Sequence, residues 1–290
     1  MIHGLSVVGF GAPSGWHHRP MCGRYAATKR PDQLVEEFEI DVVGARPLAP
    51  DYNVAPTKAV YAVIARQPAR PFGSEMAGAL DLEASDQAPA ASEPSDQAIR
   101  ELQVVRWGLI PSWAKDPAIG SRLINARVES VAEKPAFRRA FAARRCLVPA
   151  DGYYEWYRPT QPGAKKQPFY ITRSDGATLP IAGLYELWRN PGADPADPEA
   201  VRTTITLITT AASSQVSGIH DRMPVLIDRD HWTAWLDPTL NNASEVLDVL
   251  AELTPISLAA VPVSTAVNRT SNNGPSLIVP FVALDEPALF

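Results

Sequence analysis

Cys146-Leu-Val-Pro-Ala-Asp-Gly-Tyr-Tyr-Glu-Trp-Tyr157 reads as two short strands, Cys146–Val148 and Gly152–Tyr157, separated by turn residues. The same signature of β-branched or aromatic runs bounded by Gly, Pro, Asn or Asp recurs on both sides. It predicts strands at Val60–Ile64, Gln103–Trp107, Phe169–Thr172, Ile181–Leu187, Thr203–Thr209 and Ile256–Val261. Helices are fewer. Pro31–Phe38 has Pro at an early position and acids in its first turns. Val128–Ala143 reads as helical with a break at Pro135, and Arg229–Leu236 and Ser244–Leu253 complete the set. Strands dominate without the βαβ rhythm of a doubly wound parallel sheet. The fold class expected is therefore α+β: a β-rich single domain of mainly antiparallel sheet with flanking helices.

The chain has 290 residues, 46% hydrophobic and 20% charged, enough to bury a sizeable core. No apolar run approaches the ~18–20 residues that span a bilayer, and residues 1–20 lack the basic start and long apolar core of a signal peptide. These features place the protein in the cytoplasm, away from membranes. Two cysteines, Cys22 and Cys146, in that compartment argue against a structural disulfide, and without CxxC spacing they make a poor zinc site. Cys146, in an apolar strand, reads as a buried core thiol.

Net charge is −5, but six acids (Glu75, Asp81, Glu83, Asp86, Glu93, Asp96) fall between Ser74 and Ile99 with no Lys or Arg among them. The remainder of the chain is near neutral, which permits a local basic surface. That acidic stretch belongs to a Ala/Ser/Pro-rich insertion at about 67–100, too polar to order itself by burial. Residues 190–200 form a second polar loop. Residues 1–20 read as a non-native or disordered extension, and 21–290 as one domain.

Met21-Cys22 is the chemically sharpest pair. Removal of a Met before a small residue would leave Cys22 with a free α-amine beside its thiol. Such an aminothiol condenses with an aldehyde and closes to a thiazolidine. Elsewhere, Asn125, Glu155 and His220 stand in punctuated contexts, each with a plainer reading. Asn125 would cap a helix starting at Ala126; Glu155 would face solvent on the face it shares with Tyr153 and Tyr157; His220 would be a hydrogen-bonded loop residue beside Asp221.

Taken in order, the motifs are more specific. They are Met21-Cys-Gly-Arg-Tyr25, Tyr52-Asn-Val-Ala-Pro-Thr57, Arg106-Trp-Gly-Leu-Ile-Pro111, Asn125-Ala-Arg127 and the 146–156 stretch. Ala182-Gly-Leu184, Thr209-Thr210, His220-Asp-Arg-Met-Pro224 and Val267-Asn-Arg269 with Asn273 follow. The set resembles the SRAP (SOS-response-associated peptidase) family from Met21 to about Pro280. That resemblance implies an SRAP-like fold and an abasic-site sensor that cross-links to abasic sites in single-stranded DNA. It implies a catalytic N-terminal Cys22 with Asn125, Glu155 and His220. DNA contacts are implied from Arg24, Asn53, Trp107, Arg127, Trp156, Thr209 and Arg222. The partner is single-stranded DNA carrying abasic sites. No cofactor and no metal are implied, the chain is taken as a monomer, and its place is the nucleoid.

The chemistry agrees with that carry-over. An α-amine titrates near ~7.7–8.0, so roughly a tenth is nucleophilic at neutral pH, whereas a Lys near ~10.4 is not. A carboxylate and an imidazole suit the proton transfers of sugar ring opening and imine formation. The roles expected are Asn125 orienting the Cys22 backbone, Glu155 shuttling the proton and His220 assisting ring opening and reversal. Arginines on phosphates give sequence-independent affinity, and Trp107 and Trp156 can stack on bases; Trp113, Trp188, Trp232 and Trp235 are expected in the core. The requirement is a free Cys22 amine, met if translation starts at Met21 or if residues 1–20 are cut away, autoproteolysis included. The family's peptidase label keeps a hydrolase reading open, a thiol peptidase with Cys22 as nucleophile and His220 as base. A lyase-type activity and a purely non-covalent DNA-binding role also stay open.

Overall fold

The strands on either side of Asp151 do not form a hairpin; they enter two different sheets. In the computed structural model, which describes residues 23–44, 46–68, 98–161, 163–194, 197 and 200–281, β7 (Arg145–Ala150) lies in an eight-stranded sheet. β8 (Gly152–Tyr157) lies in a five-stranded one. Asp151 makes the crossing. Its backbone N–H donates to the Ala26 carbonyl at 2.8 Å, and its carboxylate accepts from the Thr28 N–H and hydroxyl, each at 2.7 Å. Gly152 is required by packing, because a Cβ there would lie 2.5 Å from the Tyr170 ring and 2.7 Å from the Ile171 carbonyl.

The smaller sheet runs in the order β13 (Leu258–Pro262), β9 (Gln167–Arg173), β8, β1 (Tyr25–Ala27) and β3 (Asp51–Val54). The larger contains β12 (Arg222–Pro224), β11 (Val201–Ala211), β10 (Leu179–Arg189), β7, β4 (Ala59–Arg66), β5 (Ile99–Trp107) and β2 (Val42–Val43). β5 also pairs with β11 in parallel, which closes β4, β5, β11, β10 and β7 into a ring. β6 (Asn125–Arg127) continues that parallel pairing along β11, with Leu207 opposite Asn125 and Thr209 opposite Arg127. Closure removes sheet edges that would otherwise need covering. The architecture is the expected β-rich α+β domain.

Alternation along β4 feeds two cores. Val60, Ala62 and Ile64 join Cys146, Val148, Ile181, Ile205 and Leu207 in a core shared with Tyr25 and Tyr153 of the other sheet. Tyr61, Val63 and Ala65, on the opposite face, pack with Phe38, Phe141, Trp232 and Trp235. Those aromatics come from α1 (Pro31–Phe38), α2 (Arg138–Ala143) and α3 (Trp232–Leu236); α4 (Ala243–Ala251) adds Val246. α1 starts with Pro31 in its first turn and a Gln33 side chain that accepts from the Arg30 N–H, and it buries Leu34 and Phe38 one turn apart. Phe38 stacks on Trp232 with ring centroids 4.7 Å apart.

Several sequence expectations change. Of Val128–Ala143, Val128–Ser130 is a 3₁₀ turn and α-helix begins only at Arg138, because Pro135 interrupts the amide ladder. β5 starts at Ile99, inside the segment assigned to the insertion, because residue 99 pairs with Arg66 of β4. The rest of that insertion, residues 69–97, and the extension at 1–20 lie outside the described residues. Among the described residues, no helix is long and apolar enough to cross a membrane.

Candidate active site

β1 carries the described chain's first residues into the site. Tyr25 pairs with Tyr153, and the Tyr154 N–H donates to the Arg24 carbonyl at 2.9 Å, so Arg24 is held against the strand that carries Glu155. Cys22 itself lies outside the described residues.

Glu155 sits in the aromatic run of β8, opposite Phe169 of β9, and is only 4% exposed. It does not face solvent. Tyr153, two residues back on the same face, is core; Tyr157, two residues on, is at the surface. Holding a carboxylate from water in this way costs folding stability unless partners compensate it.

Asn125 opens β6 instead of capping a helix. Its position is fixed from behind. The Ile124 carbonyl accepts from the Leu207 N–H at 3.0 Å and from the Trp107 indole Nε1–H at 2.9 Å. Trp107 in turn packs on Tyr25, centroids 5.2 Å apart. Tyr25, Trp107 and Ile124 thus link the strand paired to Glu155 with the strand that carries Asn125.

His220 ends the turn after β11, its N–H donating to the Val216 carbonyl at 3.2 Å. Two groups meet its Nδ1: the Arg222 N–H at 3.1 Å and an Asp221 carboxylate oxygen at 3.0 Å. They ask for opposite protonation. An amide N–H can only donate, and of the two contacts only the amide one has hydrogen-bond geometry, so Nδ1 is its acceptor. The tautomer that fits this contact carries its proton on Nε2.

The expected DNA-contact residues divide by burial. Trp107 is 0% exposed, and Asn53 and Thr209 are equally closed off. The stacking role read for Trp107 does not fit this burial: its ring faces are taken by core packing. Asn53 is a structural hub, its side-chain amide donating to the carbonyls of Val267, Arg269 and Asn272 at 3.2, 2.9 and 3.0 Å. Arg24 donates to the Asn53 side-chain oxygen and the Val267 carbonyl, both at 2.8 Å, and lies over the Trp156 ring. Burial lowers the Arg24 pKa from its ordinary value, with Tyr154 opposing. Trp156 is half-buried, its Nε1–H donating to Asn268 Oδ1 at 2.7 Å. Arg127 is exposed at the end of β6. Arg222 is engaged by Glu129 in a two-pronged ion pair and donates to the Thr209 carbonyl at 2.7 Å.

Residues 21–270 match the family model described as SOS response associated peptidase (SRAP). The chain belongs to the SRAP family. Abasic site processing protein YoaM of Bacillus subtilis is 34% identical over 259 residues, 89% of this chain and 97% of that one. Abasic site processing protein HMCES of Xenopus tropicalis is 33% identical over 224 residues, 67% of this chain and 62% of its own length. A solved protein from Bacteroides thetaiotaomicron is 30% identical with a TM-score of 0.54, covering 63% of this chain and 78% of that chain. A solved protein from Bordetella bronchiseptica, at 24% identity and a TM-score of 0.58 over 84% of this chain and 100% of that chain, shares the fold.

In this SRAP chain, sequence reasoning missed Trp113. Expected in the core with Trp188, Trp232 and Trp235, it is 57% exposed while those three are buried. It rides on the loop after β5, which Gly108 and Gly120 hold closed. Gly108 has φ +121°, and a Cβ on either glycine would lie 2.7 Å from the other's carbonyl oxygen. The available signal was the company of Pro111, Ser112, Lys115, Asp116 and Pro117, which marks a surface loop.

Proposed function

We propose that this SRAP protein processes abasic sites by cross-linking to them in single-stranded DNA through Cys22. The observation that carries the reading is Glu155: a carboxylate 4% exposed, on the strand that runs beside the chain emerging from Cys22. The names of the relatives, both abasic site processing proteins, support it. So does the family match, which begins at residue 21, next to Cys22.

The reaction needs a Cys22 α-amine free of residues 1–21. The open abasic sugar presents an aldehyde; the amine adds to its carbon, and loss of water gives an imine. The thiol sulfur then adds to the imine carbon and its proton passes to the nitrogen, closing a five-membered thiazolidine. Glu155 carries the proton between amine, carbinol and departing water. His220, with Nε2–H available to donate, protonates the sugar ring oxygen as the hemiacetal opens. Asn125 orients the Cys22 backbone. The exposure of Arg127 supports a phosphate contact there, and the exposed indole of Trp113 supports stacking on a base.

Replacing Cys22 with Ala should abolish the adduct with abasic single-stranded DNA on a denaturing gel without borohydride. An adduct that persists in that variant rejects the mechanism. Intact mass of protein expressed from its native gene tests the free terminus, and a dominant species beginning at Met1 counts against it.

A further inference from the structure

We infer that Glu129 is a positioning residue for His220, acting through Arg222; this rests on the abasic-site reading above. Asn125 and His220 arrive on separate segments, β6 and the turn before β12, which flank the end of β11. A transverse polar chain ties the two together. The Thr209 hydroxyl donates to the Ala126 carbonyl of β6 at 3.4 Å and accepts from Arg222 Nη2 at 3.3 Å. Arg222 Nη2 also donates to the Thr209 carbonyl at 2.7 Å and to Glu129 Oε2 at 2.9 Å, while Nη1 donates to Glu129 Oε1. Glu129 lies in the 3₁₀ turn directly after β6. The two-pronged pair therefore staples the start of β12 to the segment carrying Asn125. The residue so stapled is the one whose backbone N–H engages His220 Nδ1.

Two consequences follow. With Arg222 fixed, its N–H holds the imidazole with the proton on Nε2, the form that donates to the sugar oxygen. With Glu129 in place, Arg222 is also spent as a cation: its Nη atoms face a carboxylate and a carbonyl, and its Nε is buried. Arg222 thus serves His220 geometry and is withheld from DNA phosphates, contrary to its expected contact role.

The two effects have opposite signs in Glu129→Ala. Cross-linking to an abasic strand should slow by on the order of tenfold as His220 loses its orientation. Affinity for a strand with a tetrahydrofuran in place of the abasic sugar, which has no aldehyde, should hold or tighten. Its log-affinity against log-salt slope should steepen by about one as Arg222 becomes free for a phosphate. Glu129→Gln, which keeps one acceptor oxygen, should recover part of the rate. A parallel fall in rate and affinity points to general damage and overturns the inference, as does a wild-type rate in Glu129→Ala. Nitrogen NMR of labelled His220 needs no DNA. Nδ1 should give an acceptor signal in the wild-type chain and move towards a tautomer average in Glu129→Ala. If the wild-type chain forms no adduct, the abasic reading fails on its own, and an unchanged Nδ1 signal then rejects the positioning role separately.

Discussion

Trp107→Phe separates a structural tryptophan from a DNA-stacking one. The substitution removes the indole N–H that reaches the Ile124 carbonyl at 2.9 Å, and it shrinks the ring that packs on Tyr25. The carbonyl keeps its second donor, the Leu207 N–H at 3.0 Å, so it is not orphaned. The lost bond then costs about 0.5–1.5 kcal/mol. A void of roughly 40 Å³ left by the smaller ring adds about 1 kcal/mol. The sum, about 2 kcal/mol of folding stability, should appear as a lower urea midpoint with an unchanged slope. Affinity for single-stranded DNA should be unaffected, since the side chain is 0% exposed. Cross-linking should slow, because Ile124 positions Asn125. Were Trp107 a stacking platform, the smaller Phe ring would stack less well and DNA binding would weaken, by at most the roughly 1–3 kcal/mol (about 5–150-fold) that complete loss of a stacked ring costs. Anisotropy titration showing that weakening, with an unchanged urea midpoint, would refute the burial argument.

Trp113→Ala should behave in the opposite way. Its exposed ring predicts a fall in single-stranded DNA affinity of about 1–3 kcal/mol with little change in the urea midpoint; unchanged affinity rejects the assignment. Arg145→Met should cost roughly 3–5 kcal/mol of stability. Its guanidinium donates to the carbonyls of Phe141, Ala142, Trp235, Asp237 and Leu240 at 3.0, 2.6, 2.8, 2.6 and 2.8 Å, closing the C-terminal ends of α2 and α3. A denaturation midpoint like the wild type's would remove that account, and the same burial lowers the Arg145 pKa to about 10. The Glu129–Arg222 pair should be acid-labile. Hydrogen bonds from Arg222 hold the Glu129 carboxyl below its ordinary value, so the pair stabilises the fold above the unfolded carboxylate pKa of about 4.3. Its contribution disappears as pH falls through the folded value. A double-mutant cycle should find coupling at neutral pH and none at the lowest pH the fold survives; equal coupling at both contradicts it.

Where a feature was local, it was legible. α1 runs from Pro31 to Phe38 as its early Pro and the acids of its first turns indicate. β8 occupies Gly152–Tyr157 as its aromatic run indicates. Short strands were missed, including β1, β6 and β12, because three residues carry too little pattern to stand out from a turn. They exist because longer neighbours supply their hydrogen bonds: β11 holds both β6 and β12. The exposures of Trp107 and Trp113 were inverted for a related reason. A tryptophan's own residue type does not say whether core atoms or solvent will meet its ring.

The sequence alone determined the strand-rich class, the family, and the residue types available for chemistry: a cysteine after a methionine, an asparagine, a carboxylate among aromatics and a histidine. Those follow from local propensity and from motifs in fixed order. The tertiary structure decided where they lie. β6, which carries Asn125, and β12, which follows His220, both find their partner in β11, at the point where the ring closes. Glu155 is buried because Asp151 and Gly152 turn β8 into the second sheet. Arg222 is a fixed hub instead of a free cation because Glu129, distant in sequence, lands beside it. Burial and long-range pairing are properties of the closed fold, and no window of residues contains them.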